Sequence, residues 1–174
     1  MKFDFTETLR ARTASAAIGA STARRMGPAG TIAAARSFLV NLDLSKFSTE
    51  TSELFQQELD KATLDFVKAM PSGAEHWGSC RKFINIFLRD VVYNQYLATH
   101  FNLSKIIGWL EVPLDSHIAK GLRNEPDGHT LPRWKSVIGL DQKTSKQYQS
   151  FAKEIAKSLN TEPVHLDIRY WRRA

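Results

Sequence analysis

The sequence predicts an all-α protein, a compact domain of several helices, and three observations lead there. Apolar residues recur at helical spacing through most of the chain, no segment sustains the alternation of a strand, and Pro and Gly fall between the periodic runs. A chain of 174 residues with 43% hydrophobic content is enough for one real core. The expected organisation is an N-terminal helical arm or lobe segment over residues 1–45 and a helical domain over 46–174, together one compact unit.

Residues 14–24 are Ala-rich and predict a helix or a mobile arm ended by Gly27-Pro28. Pro28 can open the next helix, with Ile32, Ala35, Phe38, Leu39 and Leu42 facing inward. Ser48 is the expected N-cap of a long helix in which Phe55, Leu59, Ala62, Phe66 and Met70 recur at spacings of three and four, stopped by Pro71 and Gly73. Residues 79–99 are apolar almost all round, which predicts a central buried helix. Against that background Lys82, Asn85 and Arg89 form a polar stripe at i, i+3 and i+7. Arg89 and Asp90 are expected to be core ion-pair partners for another helix, whereas Lys82 lies near the helix start, where access is greatest. A short helix is expected over Leu103–Leu110, then a turn at Val112-Pro113-Leu114 and a helix capped by Asp115. Tyr148, Phe151, Ile155 and Leu159 mark a further amphipathic helix. A last one starts at Thr161-Glu162-Pro163 and carries Val164, Asp167, Ile168 and Trp171 on one side.

Composition bounds the function. Lys and Arg outnumber Asp and Glu by 24 to 18, giving +6 and a pI near 9.5, which suits a polyanionic partner. The single cysteine, Cys80, allows neither an intramolecular disulfide nor a cysteine-built zinc or iron–sulfur site. The histidines lack metal-ligand spacing, so neither metal nor cofactor is expected. No apolar run approaches the ~20 residues of a membrane span. Leu9 to Arg25 is rich in Ala, Ser and Arg and nearly free of acids, a composition shared with transit peptides; the expected location is nevertheless cytoplasmic, with the nucleoid.

Two segments concentrate the chemistry-bearing residues: Trp77-Gly78-Ser79-Cys80-Arg81-Lys82-Phe83-Ile84-Asn85-Ile86-Phe87-Leu88 and Val112-Pro113-Leu114-Asp115-Ser116-His117-Ile118. Together they resemble the signature of the helix-hairpin-helix base-excision DNA glycosylases. In that family a glycine-containing hairpin leads into a helix bearing the lyase lysine, in a pattern like GxGRKxxNxxL, and the catalytic aspartate follows in V-x-D-[ST]-H-[IV]. Gly78, Arg81, Lys82, Asn85 and Leu88 match the first pattern, and Asp115, Ser116, His117 and Ile118 the second. Cys80 stands where the second hairpin glycine would be, so the hairpin is degenerate. The interval of 33 positions between Lys82 and Asp115 is similar to that of the archaeal 8-oxoguanine glycosylase branch. Asp167 and Trp171, four apart, resemble the acid and tryptophan with which that branch receives a flipped purine.

The resemblance implies a DNA glycosylase with abasic-site lyase activity, with Lys82 and Asp115 as the catalytic pair and 8-oxoguanine as first candidate substrate. The chemistry agrees: attack at C1′ requires an extruded base and stabilisation of a cationic sugar, which an anionic Asp115 can supply. Lys82, its pKa lowered by desolvation and by neighbouring Arg81, would attack as a neutral amine and form a Schiff base. Asp167, Trp171 and Trp77 are the candidate base contacts, although Trp77, Trp109 and Trp134 are each candidates for the core. His117 reads as an orienting or buried residue. The expected partner is duplex DNA with a flipped base, held by Gly78, Ser79 and Arg81 at the helix N-terminus and by Lys120 and Arg123, with Arg133, Lys135, Arg172 and Arg173 as further cations. The lysines of 143–159 read as a solvated face. Two alternatives stand beside this reading: a non-catalytic helical DNA-binding or interaction protein, which Cys80 favours, and a defence enzyme acting on modified bases of invading DNA.

Overall fold

A computed structural model describes residues 3–171, so the expected phosphate contacts Arg172 and Arg173 lie outside the described residues. Among the described residues the secondary structure is entirely helical, with eight α-helices and short 3-10 turns. Helix α1 (Phe5–Ala17) starts where the Asp4 carboxylate accepts from the Glu7 N–H, well before the Ala-rich stretch expected to be helical. Residues 18–30 instead form successive turns, pinned by buried Ala23 and Met26 and by Arg36, whose Nε donates to the Ile18 carbonyl at 2.8 Å. Pro28 does not open α2 (Thr31–Asn41). Its carbonyl accepts from the Thr31 hydroxyl at 2.7 Å, and Gly30, at φ 92°, makes the left-handed step into the helix.

Helix α3 (Ser52–Ala69) buries Phe55, Leu59, Ala62 and Phe66 as their spacing predicts, but Thr51 rather than Ser48 caps it. The Thr51 hydroxyl accepts from Leu54 N–H at 3.3 Å, while Ser48 is drawn into a contact with Asn102. Helix α4 (Trp77–Tyr93) is the axis of the molecule: 12 of its 17 residues are buried, and α1, α2 and α3 all lie against it. The expected continuous helix to residue 99 breaks at Asn94, whose side chain accepts from Leu97 N–H and so opens α5 (Gln95–His100). Residues Ser104–Trp109 are a 3-10 turn rather than an α-helix.

The buried apolar residues fall into two clusters. Helices α1 to α5 and the 104–109 turn enclose the first, with Phe47, Phe55, Phe66, Phe83 and Phe87 at its centre. The second begins at Val112 and is built by α6 (Ser116–Arg123), α7 (Gln142–Ser158) and α8 (Leu166–Tyr170) around Leu122, Tyr148 and Leu166. Trp134 packs against both clusters. Helix α8 does not place its four expected residues on one side. Val164, in the Pro163–His165 turn, and Asp167 are buried, whereas Ile168, about 100° round α8 from Asp167, and Trp171, beyond the end of the helix, are exposed at 68% and 62%. No helix among the described residues is long and apolar enough to cross a membrane.

Candidate active site

Along α4, adjacent residues point 100° apart, so Arg81 and Lys82 serve different neighbourhoods. Lys82 points towards α6 and α8. Its Nζ lies 3.7 Å from Asp115 Oδ2 and donates to the Thr22 carbonyl at 3.4 Å. Asp115 divides its oxygens: Oδ1 accepts from the N–H groups of His117 at 2.9 Å and Ile118 at 3.1 Å, which caps α6, and Oδ2 faces the amine. The cap and the ion pair are thus one residue in two roles.

Lys82 is less accessible than its place near the helix start suggests, at 8% exposure, with the Thr22 carbonyl of the 18–30 segment against its amine. Burial pushes its pKa below the ordinary lysine value, outweighing the opposing pull of Asp115 and then Asp167. Desolvation is the cause of that depression, and Arg81, expected to share in it, is turned away into ion pairs with Glu111 and Asp60. Asp167 is buried and ion-paired with Arg89, which also holds Asp90 at 2.7 Å, so the expected inter-helix role of Arg89 is realised between α4 and α8. Burial pushes the Asp167 carboxyl above the usual range against the charge of Arg89. The centre is therefore a buried amine paired with Asp115, with the Arg89–Asp167 pair close enough for the Asp167 charge to act on it.

The remaining expected contacts divide. Asp167 joins the Lys82 centre, but Trp171 does not share its face; only its backbone N–H reaches back to the Asp167 carbonyl, at 2.9 Å. Trp77 lies on the Arg81 side, under the Arg81 guanidinium at 5.4 Å, and lines a different cleft of about 540 Å³ with Asp60, Arg81 and Glu111. Gly78, Ser79 and Arg81 are all buried and do not present a phosphate site. A Cβ on Gly78 would meet the Val137 carbonyl oxygen at 2.2 Å and Leu140 Cβ at 2.6 Å, so this glycine serves close packing of the 137–140 loop. Cys80 is buried beside them, its thiol pushed up to about 12 by burial.

Arg81 is the hub of a second polar cluster whose importance was not legible in the sequence. Its Nε and Nη2 form a fork on Glu111 at 2.8 and 2.7 Å, and Nη1 meets Asp60 at 2.8 Å and the Thr63 hydroxyl at 3.0 Å. Asn85, matched above to the glycosylase pattern, donates to Glu111 at 2.9 Å. Burial alone would raise the Glu111 carboxyl, but the charge of Arg81 and hydrogen bonds from Arg81, Asn85 and Gln56 hold it below the usual range.

Three of the expected cations, Lys120, Arg123 and Arg133, share a groove beside α6. With Ser116 and Asn124 they line its volume of about 470 Å³, and Lys120 also borders a second groove, of about 700 Å³, with His117, Arg169 and Tyr170. Lys120 is exposed, whereas Arg123 is half-buried and spends its Nη1 on the carbonyls of Leu131 and Pro132. His117 is exposed on this face, not buried. Among the described residues no group of His, Cys, Asp and Glu is placed to hold a metal ion. No protein-family model, curated protein or solved structure matches the chain.

Proposed function

We propose that this chain is a DNA glycosylase with abasic-site lyase activity that acts on an oxidised or otherwise modified base, 8-oxoguanine being the first to try. The observation that carries the reading is the buried Lys82 amine 3.7 Å from Asp115, two residues 33 positions apart in the sequence that meet where the N-cap of α6 faces α4. A lysine of lowered pKa can attack C1′ of a flipped nucleotide as a neutral amine. The bond from C1′ to the base breaks, the base departs with the bonding pair and takes up a proton, and Asp115 offsets the positive charge on the sugar. Opening of the sugar ring leaves an imine on Nζ, and loss of a C2′ proton then expels the 3′ phosphate. Asp167 and the exposed Trp171 remain the proposed contacts for the base, and Lys120, Arg123 and Arg133 the proposed contacts for the DNA backbone. A second reading, a DNA-binding protein without chemistry, draws support from the inward packing of Gly78, Ser79 and Arg81, which removes the hairpin contact from the surface.

A duplex with one 8-oxoguanine tests the reading through base release and strand cleavage. Wild type is expected to do both, and Asp115→Asn to slow base release by about 100-fold or more. Asparagine caps a helix about as well as aspartate, so the start of α6 is kept in the variant. Absence of base release by wild type would sink the proposal for this substrate, and equal rates for the two proteins would remove Asp115 from the chemistry.

A further inference from the structure

The chain from Thr8 to Leu42 contains no acidic residue but five arginines, and the structure separates them by task. Arg10 donates to the Leu42 carbonyl, and Arg36 to those of Ile18 and Ser15, so these two tie the N-terminal helices together. Arg24 and Arg25 do nothing of the kind. Both are exposed, and among the described residues neither donates a side-chain hydrogen bond nor lies within 4.0 Å of a carboxylate. Their segment is nevertheless fixed: Ala23 and Met26 are buried on either side of them, Ala23 N–H donates to the Gly19 carbonyl at 3.1 Å, and Met26 N–H to that of Ala23 at 3.1 Å.

Position gives this pair its meaning. Thr22, whose carbonyl meets Lys82 Nζ at 3.4 Å, precedes Arg24 by two residues and Arg25 by three. At no more than ~3.6 Å per residue, both backbones stay within about 11 Å of Thr22. A nucleotide whose C1′ reaches Lys82 can therefore place its flanking phosphates within reach of this segment. Guanidinium groups free of carboxylate partners are suited to that ligand, since their planar fork matches two phosphate oxygens.

We infer that Arg24 and Arg25 bind backbone phosphates of the DNA strand carrying the attacked nucleotide, so that the 18–30 segment and the cations of α6 grip the strand from the two elements that touch the Lys82 amine. This rests on the reading of Lys82 and Asp115 as a DNA-processing centre. It gives the segment a double duty, contacting the amine and docking the substrate that must reach it.

The test is a binding titration over a series of salt concentrations, using a duplex with one tetrahydrofuran abasic analogue. Arg24→Ala combined with Arg25→Gly removes both charges, and glycine tolerates the φ of 60° that Arg25 holds, so the fold is preserved. A second protein, Arg24→Lys with Arg25→Lys, keeps the charges. The neutral pair is expected to bind about tenfold or more weakly near 0.1 M salt and to lower the slope of log K against log salt by about 1.8, or 0.9 for each lost phosphate contact. The lysine pair should keep the wild-type slope. Wild-type affinity and slope in the neutral pair overturn the inference while leaving the glycosylase reading intact, and loss of slope in the lysine pair overturns it by assigning the arginines a structural role. Failure of wild type to bind the abasic duplex overturns both.

Discussion

Arg81 and Lys82 are consecutive buried cations on the same helix, and their surroundings could hardly differ more. Arg81 is saturated: two carboxylates, a hydroxyl and the face of Trp77 occupy its guanidinium, with contacts of 2.7 to 3.0 Å to its oxygen partners. Lys82 is undersupplied, with a carbonyl at 3.4 Å and a carboxylate at 3.7 Å for three N–H donors. Burial works on both, yet the arginine keeps its charge against it while the lysine has its pKa lowered. A buried ion that is fully met holds the fold; one that is only partly met is available to react.

The comparison breaks most sharply at Arg81. Arg81→Met strands Glu111 in a buried site and is expected to cost about 3–5 kcal/mol, measured as a lower urea midpoint. A loss below about 1 kcal/mol would show that the cluster does not hold α3, α4 and the 111–112 segment together. Lys82→Met should act in the opposite sense. A lysine whose folded pKa is lowered binds fewer protons folded than unfolded between that pKa and the ordinary value of 10.5, so wild-type stability rises with pH across that window. At neutral pH the charged amine is a liability that methionine removes, and Arg89 remains to neutralise Asp167. The variant is expected to melt at or above the wild-type temperature, with the pH-dependent rise reduced. A fall of more than ~3 °C, about 1 kcal/mol for a chain of this size, would mean that Lys82 is a structural ion like its neighbour.

Much of the helical architecture was legible because helical periodicity needs only local sequence. The apolar ring of α4 and the spacing of α3 gave two core helices, and Asp115 before an apolar-periodic run gave the α6 cap. Boundaries fared worse where competing caps were close together, as at Ser48 against Thr51 and at Asn94. In the site, the approach of Lys82 to Asp115 and the pairing of Arg89 across helices followed from the motifs and the polar stripe. The roles of Gly78, Ser79 and Arg81 did not, because a helix N-terminus reads the same whether it faces solvent or, as here, a packed loop distant in the chain, at residues 137–140. The Thr22 carbonyl carried no signal, since any residue can place a backbone oxygen over a lysine. Arg24 and Arg25 were visible only as part of an acid-poor stretch whose composition suggested something else.

Borohydride trapping on duplex DNA bearing 8-oxoguanine or an abasic site tests the central claim most directly. Wild type is expected to give a covalent adduct whose yield rises as Lys82 loses its proton, at a pH below that of an ordinary lysine, and Lys82→Met should give none while remaining folded. A wild-type protein that binds either duplex yet forms no adduct, or an adduct that survives in Lys82→Met, would contradict the assignment of Lys82 as the nucleophile.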